Sequence, residues 1–209
     1  LIDISPQILK LGHVVLTPII ILSLALATLH TGTAAAVASV ATIILAQVLL
    51  GLGAFIFFLG VLTWLYSKFR NVELIDFWIY RYSRHPQYLG LIMYTYSLLL
   101  GTCTYGTPMG GYMPIPSLPW LIATLLIIAI ALIEEVDLKN RLGDEYEKYC
   151  EKTPFLLPLP KAVASIVQLP SKLIIGKEKP ESKVEVAAAM VIYAIILIGL
   201  SIPLAPITP

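Results

Sequence analysis

Long apolar runs separated by short polar stretches set the pattern of this chain. Runs of roughly 18 or more apolar residues have the length of a bilayer-crossing helix. Five stand out, near 13–30, 34–66, 87–104, 119–135 and 184–202. The second is too long for one hydrocarbon thickness at ~1.5 Å per residue, and too short for two spans and a turn. It reads as one long tilted helix, with Gly51-Leu52-Gly53 as the place for a bend. The first run follows Asp3 and Lys10 with no convincing small-residue cleavage site, so it reads as a retained span rather than a signal peptide. The predicted fold class is all-α: a polytopic membrane protein with about five transmembrane helices, one domain over 1–209.

The polar stretches mark the ends of these runs. From His85 to Ile133 there is no Asp, Glu, Lys or Arg. Arg84-His85-Pro86 opens the third run and Glu134-Glu135 closes the fourth, so the two clusters cap the same end of one helical hairpin. The fourth run does not stop there. Leu138, Leu142, Tyr146 and Tyr149 recur at helical spacing and predict a helix projecting from the membrane, with a turn or new cap near Gly143-Asp144. Thr153 to Pro158 ends that unit. The stretch 105–116 is rich in Pro and Gly and reads as an irregular, uncharged outer loop. Residues 161–175 read equally well as an interfacial helix or a linker.

Charge fixes the orientation. The hydrophobic fraction is 58% and the charged fraction 13%, about half the usual share for a soluble domain. The loop 67–86 holds Lys68, Arg70, Arg81 and Arg84, and the loop 104–118 holds no Lys or Arg. The segment 136–183 holds Lys139, Arg141, Lys148, Lys152, Lys161, Lys172, Lys177, Lys179 and Lys183. With the N-terminus inside, five spans place every Lys and Arg on the cytoplasmic side and the C-terminus outside. No large basic face points to nucleic acid. Cys103 and Cys150 fall on opposite sides of the membrane in this reading, so no disulfide is expected. No His/Cys cluster has metal-ligand spacing, and there is no glycine-rich phosphate loop.

The hairpin end carries the candidate chemistry. Pro86 suits a first helical position, which places His85 at the cap in an extended conformation. The helix N-terminus offers unpaired N–H groups and partial positive charge, and Arg84 and His85 add donors for a carboxylate or phosphate. Glu134 and Glu135 could accept from ribose hydroxyls or attract a cationic ligand. Tyr80 and Tyr88 flank the His-Pro pair and are candidate walls for a purine ring and a sulfonium group. His13 and His30 read as ordinary helix-end residues.

Tyr80-Arg81-Tyr82-Ser83-Arg84-His85-Pro86-Gln87-Tyr88-Leu89-Gly90 resembles the core motif of the isoprenylcysteine carboxyl methyltransferases, shared with the related phospholipid methyltransferases. Glu134-Glu135, Leu138, Gly143, Tyr146, Tyr149 and Phe155-Leu156-Leu157-Pro158 resemble its second half, so the likeness covers roughly 70–158. The resemblance implies an integral membrane methyltransferase using S-adenosylmethionine in a cytoplasmic pocket, with a lipid or prenylated small-molecule acceptor arriving from the bilayer. Carried over by position, it implies cofactor contacts from Tyr80, His85, Pro86, Gln87, Tyr88 and Glu134, and from Leu74 and Ile75 largely through backbone. Arg84 and Glu135 are the catalytic candidates.

Three features depart from the family pattern. Trp78 stands where the family often has Gly. Ile130 stands where carboxyl-methylating members carry an acceptor-binding Arg. The helix 184–202 follows the signature without a matched role. Prenylcysteine carboxyl methylation is ranked slightly ahead of phospholipid amine methylation. The alternatives are a sterol-reductase-like enzyme using NADPH and a non-catalytic lipid-binding scaffold.

Overall fold

The computed structural model describes residues 6–29, 34–105, 115–157, 159, 169, 172, 176 and 180–204. The described residues are helical, without a strand. The chain runs through α1 (Pro6–Leu9), a 3-10 helix (Lys10–Leu16), α2 (Thr17–Leu29) and α3 (Ala34–Phe69). A 3-10 turn (Trp78–Arg81) leads to α4 (Pro86–Tyr105), α5 (Ser117–Leu142) and α6 (Asp144–Lys152). The last helix is α7 (Lys183–Ser201), with a 3-10 turn at Ile202–Leu204. Among the described residues, two helical stretches, Ala36–Phe69 and Lys183–Leu204, are long and apolar enough to cross a membrane by length and composition. His30 and most of 105–116 and 161–175 lie outside the described residues, as does the Cys103 side chain.

The long second run is one α-helix of 36 residues that continues unbroken through Gly51-Leu52-Gly53. Helix α4 starts on Pro86, as the missing N–H of proline favours. Helix α5 passes beyond Glu134-Glu135 to Leu142. Gly143 then takes φ 52 and opens α6, so the turn falls where the sequence placed it. The first run differs from expectation. Its start is a 3-10 helix, and α2 has only 13 residues, about 20 Å, against a hydrocarbon core of about 30 Å. Thr17-Pro18 supplies the physical reason: proline lacks the N–H that would carry helical pairing across that point.

Contacts divide the chain into two compact units. The first comprises Leu1–Leu52, Met93–Thr124 and Ala194–Pro209. In it, side chains satisfy the backbone of the 3-10 stretch. Ser117 Oγ donates to the Leu9 carbonyl at 2.9 Å and lies 2.7 Å from His13 Nδ1. The Val14 N–H donates to Ser201 Oγ at 3.0 Å, and the Tyr96 hydroxyl to the Val15 carbonyl at 2.8 Å. His13 is therefore a buried packing residue set against the first residue of α5.

The second unit comprises Gly53–Ile92 and Leu125–Tyr193. Here α3 and the start of α4 pack backbone to backbone. A Cβ on Gly90 would lie 2.7 Å from the Gly53 carbonyl oxygen and closer still to the Phe57 nitrogen. A Cβ on Gly60 would lie 2.8 Å from the Gln87 nitrogen. Small residues at such crossings let two helix axes approach closely. Helix α7 begins with Ser182-x-x-Glu185, whose Glu185 N–H donates to Ser182 Oγ at 3.2 Å, one half of a capping box. Lys183 Nζ meets Asp137 at 2.9 Å, which ties this helix to α5.

The glycine contacts set opposite signs for two similar substitutions. Gly90→Ala should destabilise the protein by about 1–3 kcal/mol, because backbone atoms already fill the space. Gly51 has nothing within 4 Å of its would-be Cβ, so Gly51→Ala should be neutral or stabilising by up to about 1 kcal/mol. Thermal unfolding of both variants in one detergent checks the contrast.

Candidate functional site

The segment before α4 is anchored to the backbone carbonyls of residues that follow α6. The Arg84 N–H donates to the Pro154 carbonyl at 3.0 Å, and Ser83 Oγ to the Phe155 carbonyl at 3.5 Å. The His85 N–H donates to Ser83 Oγ at 3.3 Å, a local turn that suits the extended residue before a proline. The two halves of the sequence signature are therefore in contact.

Arg84 sits at the centre of this joint. Its Nε lies 2.6 Å from Glu135 Oε1, and its Nη2 donates to Glu135 Oε2 at 3.4 Å. Its Nη1 donates to the Cys150 carbonyl at 3.1 Å, near the C-terminus of α6. Helix C-termini present unpaired carbonyls and partial negative charge, so a guanidinium fits there. The Arg84 and Glu135 side chains are 4% and 12% exposed, so this ion pair is largely removed from water. The pair is thus occupied internally, and its geometry is that of a brace between α4, α5 and α6.

His85 packs between two aromatic rings, stacked on one and edge-on to the other. The Tyr88 ring lies 5.7 Å away at 26° and the Phe155 ring 5.1 Å away at 67°. His85 Nε2 lies 3.3 Å from Glu135 Oε1, and Nδ1 lies 3.7 Å from Glu134 Oε2. Glu134 accepts the Tyr88 hydroxyl at 2.6 Å and remains 44% exposed. The adjacent carboxylates therefore differ: Glu135 is braced inside the joint, whereas Glu134 faces open space.

That space is a cavity of about 590 Å³, within the range of roughly 300–1,000 Å³ common to small-molecule sites. Of the residues expected from the sequence, Leu74, Ile75, Tyr80, His85, Gln87 and Glu134 line it, as does Arg84. Pro86, Tyr88 and Glu135 are not among the lining residues. Pro86 is fully buried at the start of α4, and Tyr88 acts on the cavity through its bond to Glu134. Sequence reasoning missed two contributions. One is the end of α3, with Trp64, Ser67 and Lys68, and Asn71 in the turn that follows. The other is the next turns of α5, with Asp137, Leu138 and Arg141. Glu134, Asp137, Leu138 and Arg141 form an i, i+3, i+4, i+7 stripe, so the α5 set was readable as one helix face.

The cavity wall is held by tyrosines. The Tyr149 hydroxyl donates to the Tyr80 carbonyl at 2.7 Å, and the Tyr80 hydroxyl donates to Gln87 Oε1 at 2.7 Å. Burial, reinforced by the Glu134 carboxylate, pushes the Tyr80 phenol well above its ordinary value. Burial does the same to Tyr146 and Tyr149, helped at Tyr146 by Glu135 and opposed at Tyr149 by Arg84. All three remain neutral hydroxyls at physiological pH. Trp78 has φ 51, in the left-handed region that glycine enters freely and other residues rarely adopt. Its ring packs 5.3 Å from Tyr66 and 5.6 Å from Phe77.

Two outcomes follow. Glu135→Gln leaves Arg84 as an uncompensated buried charge and should cost about 3–5 kcal/mol. Arg84→Lys should also destabilise, because an ammonium cannot reproduce the fork that spans Glu135 and the Cys150 carbonyl. Unfolding of purified protein measures both. Separately, the raised tyrosine pKa values stabilise the fold below the ordinary phenol pKa of about 10 and lose that contribution as pH climbs above it. Stability should therefore be flat in this respect up to about pH 10 and fall beyond it. An ultraviolet phenolate titration run beside circular dichroism should show these tyrosines ionising only as helicity is lost.

No curated protein and no solved structure matches the chain. Over residues 11–153 the sequence matches DUF1295, described as a protein of unknown function, and the chain belongs to that family.

Proposed function

We propose that this protein is a membrane methyltransferase that binds S-adenosylmethionine in the cavity between α3, α4 and α5 and transfers its methyl group to a lipid or prenylated acceptor. One observation carries the reading: His85, Gln87 and Tyr80 from the first motif and Glu134, Tyr146 and Tyr149 from the second line one cavity. The residues suit the group. Leu74, Ile75, Leu138 and Tyr80 offer apolar and aromatic surface for a purine, and Glu134 offers a carboxylate for ribose hydroxyls or a cationic centre. The charged side chains also present on the wall suit an amino-acid end.

When bound, the cofactor supplies an already activated methyl group. The protein's own task is alignment and exclusion of water. The Tyr88 hydroxyl fixes one Glu134 oxygen, while the stacked His85 ring sits beside the other. The Arg84–Glu135 brace holds these groups at a constant separation. Ile130 is 49% exposed and lies outside the cavity wall, so no guanidinium from that position grips a carboxylate acceptor. Phospholipid amine therefore stands level with prenylcysteine carboxylate as acceptor. An amine acceptor must lose a proton, and Glu134 is the cavity carboxylate with the most open surroundings for that role.

The basic residues of 67–86 and 136–183 place the cavity end on the cytoplasmic side in this reading. Helices α3, α4, α5 and α7 then cross the membrane, and the C-terminus lies outside.

His85→Ala and Glu134→Ala should each weaken S-adenosylmethionine binding by about 1–3 kcal/mol, the cost of removing a polar partner in a partly buried site. Calorimetry with S-adenosylmethionine and with the reduced dinucleotide checks this. Tight binding of the dinucleotide without the sulfonium compound would favour the reductase-like alternative. Methyl transfer from labelled cofactor to a lipid extract identifies the acceptor. An impermeant thiol reagent should reach Cys150 only after cells are opened; labelling in intact cells would reverse the orientation.

A further inference from the structure

The charges around the cavity balance formally but are not paired with one another. Its wall carries Glu73, Glu134 and Asp137 as acids, and Lys68, Arg84 and Arg141 as bases, with His85 among them. Arg84 is held by Glu135, Asp137 by Lys183, and Glu134 by Tyr88 and His85. That leaves Lys68 at the end of α3, Arg141 at the end of α5 and Glu73 between α3 and α4, each without a polar partner among the described residues. Both cations are exposed, yet both line the same cavity. Lys68 comes one turn after Trp64 and beside buried Ser67, and Arg141 two turns after Glu134, so both project from rigid helices rather than from loops.

We propose that Lys68 and Arg141 form a two-cation clamp for an anionic group, a carboxylate or phosphate, on the ligand that fills this cavity. Lys68 and Arg141 bring two unpaired positive charges from separate helices to one cavity, where a single anion can engage both, while Glu73 and the tyrosine-bound Glu134 balance the formal charge of the wall. The Arg141 guanidinium suits two-point recognition, and Lys68 adds a point charge. Ile130, outside the cavity wall, supplies no such group. The anion is either the amino-acid carboxylate of the cofactor or the phosphate of a phospholipid acceptor. The first source rests on the methyl-transfer reading; the second does not.

The test uses full-length protein carrying Lys68→Gln, Arg141→Gln, both together, and Glu73→Gln. Calorimetry compares S-adenosylhomocysteine with methylthioadenosine, which lacks the amino-acid end. It also compares a short-chain phosphatidylethanolamine with the diacylglycerol of the same chains. If the cofactor carboxylate is the anion, the double variant binds S-adenosylhomocysteine about tenfold more weakly and methylthioadenosine unchanged. If the lipid phosphate is the anion, the double variant loses about tenfold toward the phospholipid alone. In either case the parent's affinity falls with ionic strength more steeply than the double variant's, and Glu73→Gln binds the same anion more tightly. Unchanged affinity of the double variant for both anionic probes overturns the clamp. A parent that binds no S-adenosylhomocysteine overturns the methyl-transfer reading instead, and the phospholipid comparison then decides the clamp alone.

Discussion

A buried charge pair is costly to place and more costly to break, and the second unit of this protein is built around one. The Arg84 guanidinium and the Glu135 carboxylate have both left water, so each needs the other with good geometry. The charges meet at 2.6 Å between Nε and Oε1, and the hydrogen bonds come from the Nη donors, directed to Glu135 and the Cys150 carbonyl. Three helices are fixed by this one side chain: α4 through its starting residues, α5 through Glu135 and α6 through its C-terminal carbonyl. The backbone bond from Arg84 to Pro154 completes the joint. A well-packed apolar replacement could hold helices together equally well. It could not set His85 within 3.3 Å of a carboxylate at the edge of a cavity.

The same arrangement divides the work of two adjacent acids. Neighbouring residues on an α-helix point about 100° apart, so Glu134 and Glu135 cannot face the same environment. Glu135 turns into the joint and is committed there. Glu134 turns to the cavity, where Tyr88 holds one oxygen and the other stays near His85. A sequence can state that two acids are adjacent, but only the helix phase decides which is structural. This is why Arg84 and Glu135, the catalytic candidates from sequence, have the geometry of a brace, while Glu134 keeps an exposed surface.

Much of the fold was legible because proline, glycine and long apolar runs act locally. Pro86 starts α4, Gly143 turns α5 into α6, and the uninterrupted apolar run gives the 36-residue α3. The motif residues also met as their shared placement at one hairpin end implied. The misses share a cause. The cavity face at the end of α3 depends on how α3 crosses α4, and that crossing is fixed by Gly60 and Gly90 rather than by any polar signal near Lys68. The Asp137–Arg141 stripe was readable in its spacing, but its meaning depended on knowing that Glu134 faces the cavity. The N-terminal run was legible only in part, because apolar length was visible, while the 3-10 start and its bonds to Ser117 and Ser201 are tertiary.

The close crossing of α3 and α4 has a consequence for chemistry as well as packing. Gln87 lies against Gly60, and its side chain accepts from Tyr80, whose carbonyl in turn accepts from Tyr149 on α6. A backbone contact between two helices is thus coupled to the tyrosine wall through two hydrogen bonds. The wall remains neutral because burial holds its phenols protonated, so it adds no charge to the cavity. The cavity field is then set by a short list of side chains: Glu134, Glu73, Lys68 and Arg141, with the other charges on the wall matched to neighbours. Specificity in such a site comes from the placement of those few charges, since apolar and aromatic surface tolerates many ligands of similar size.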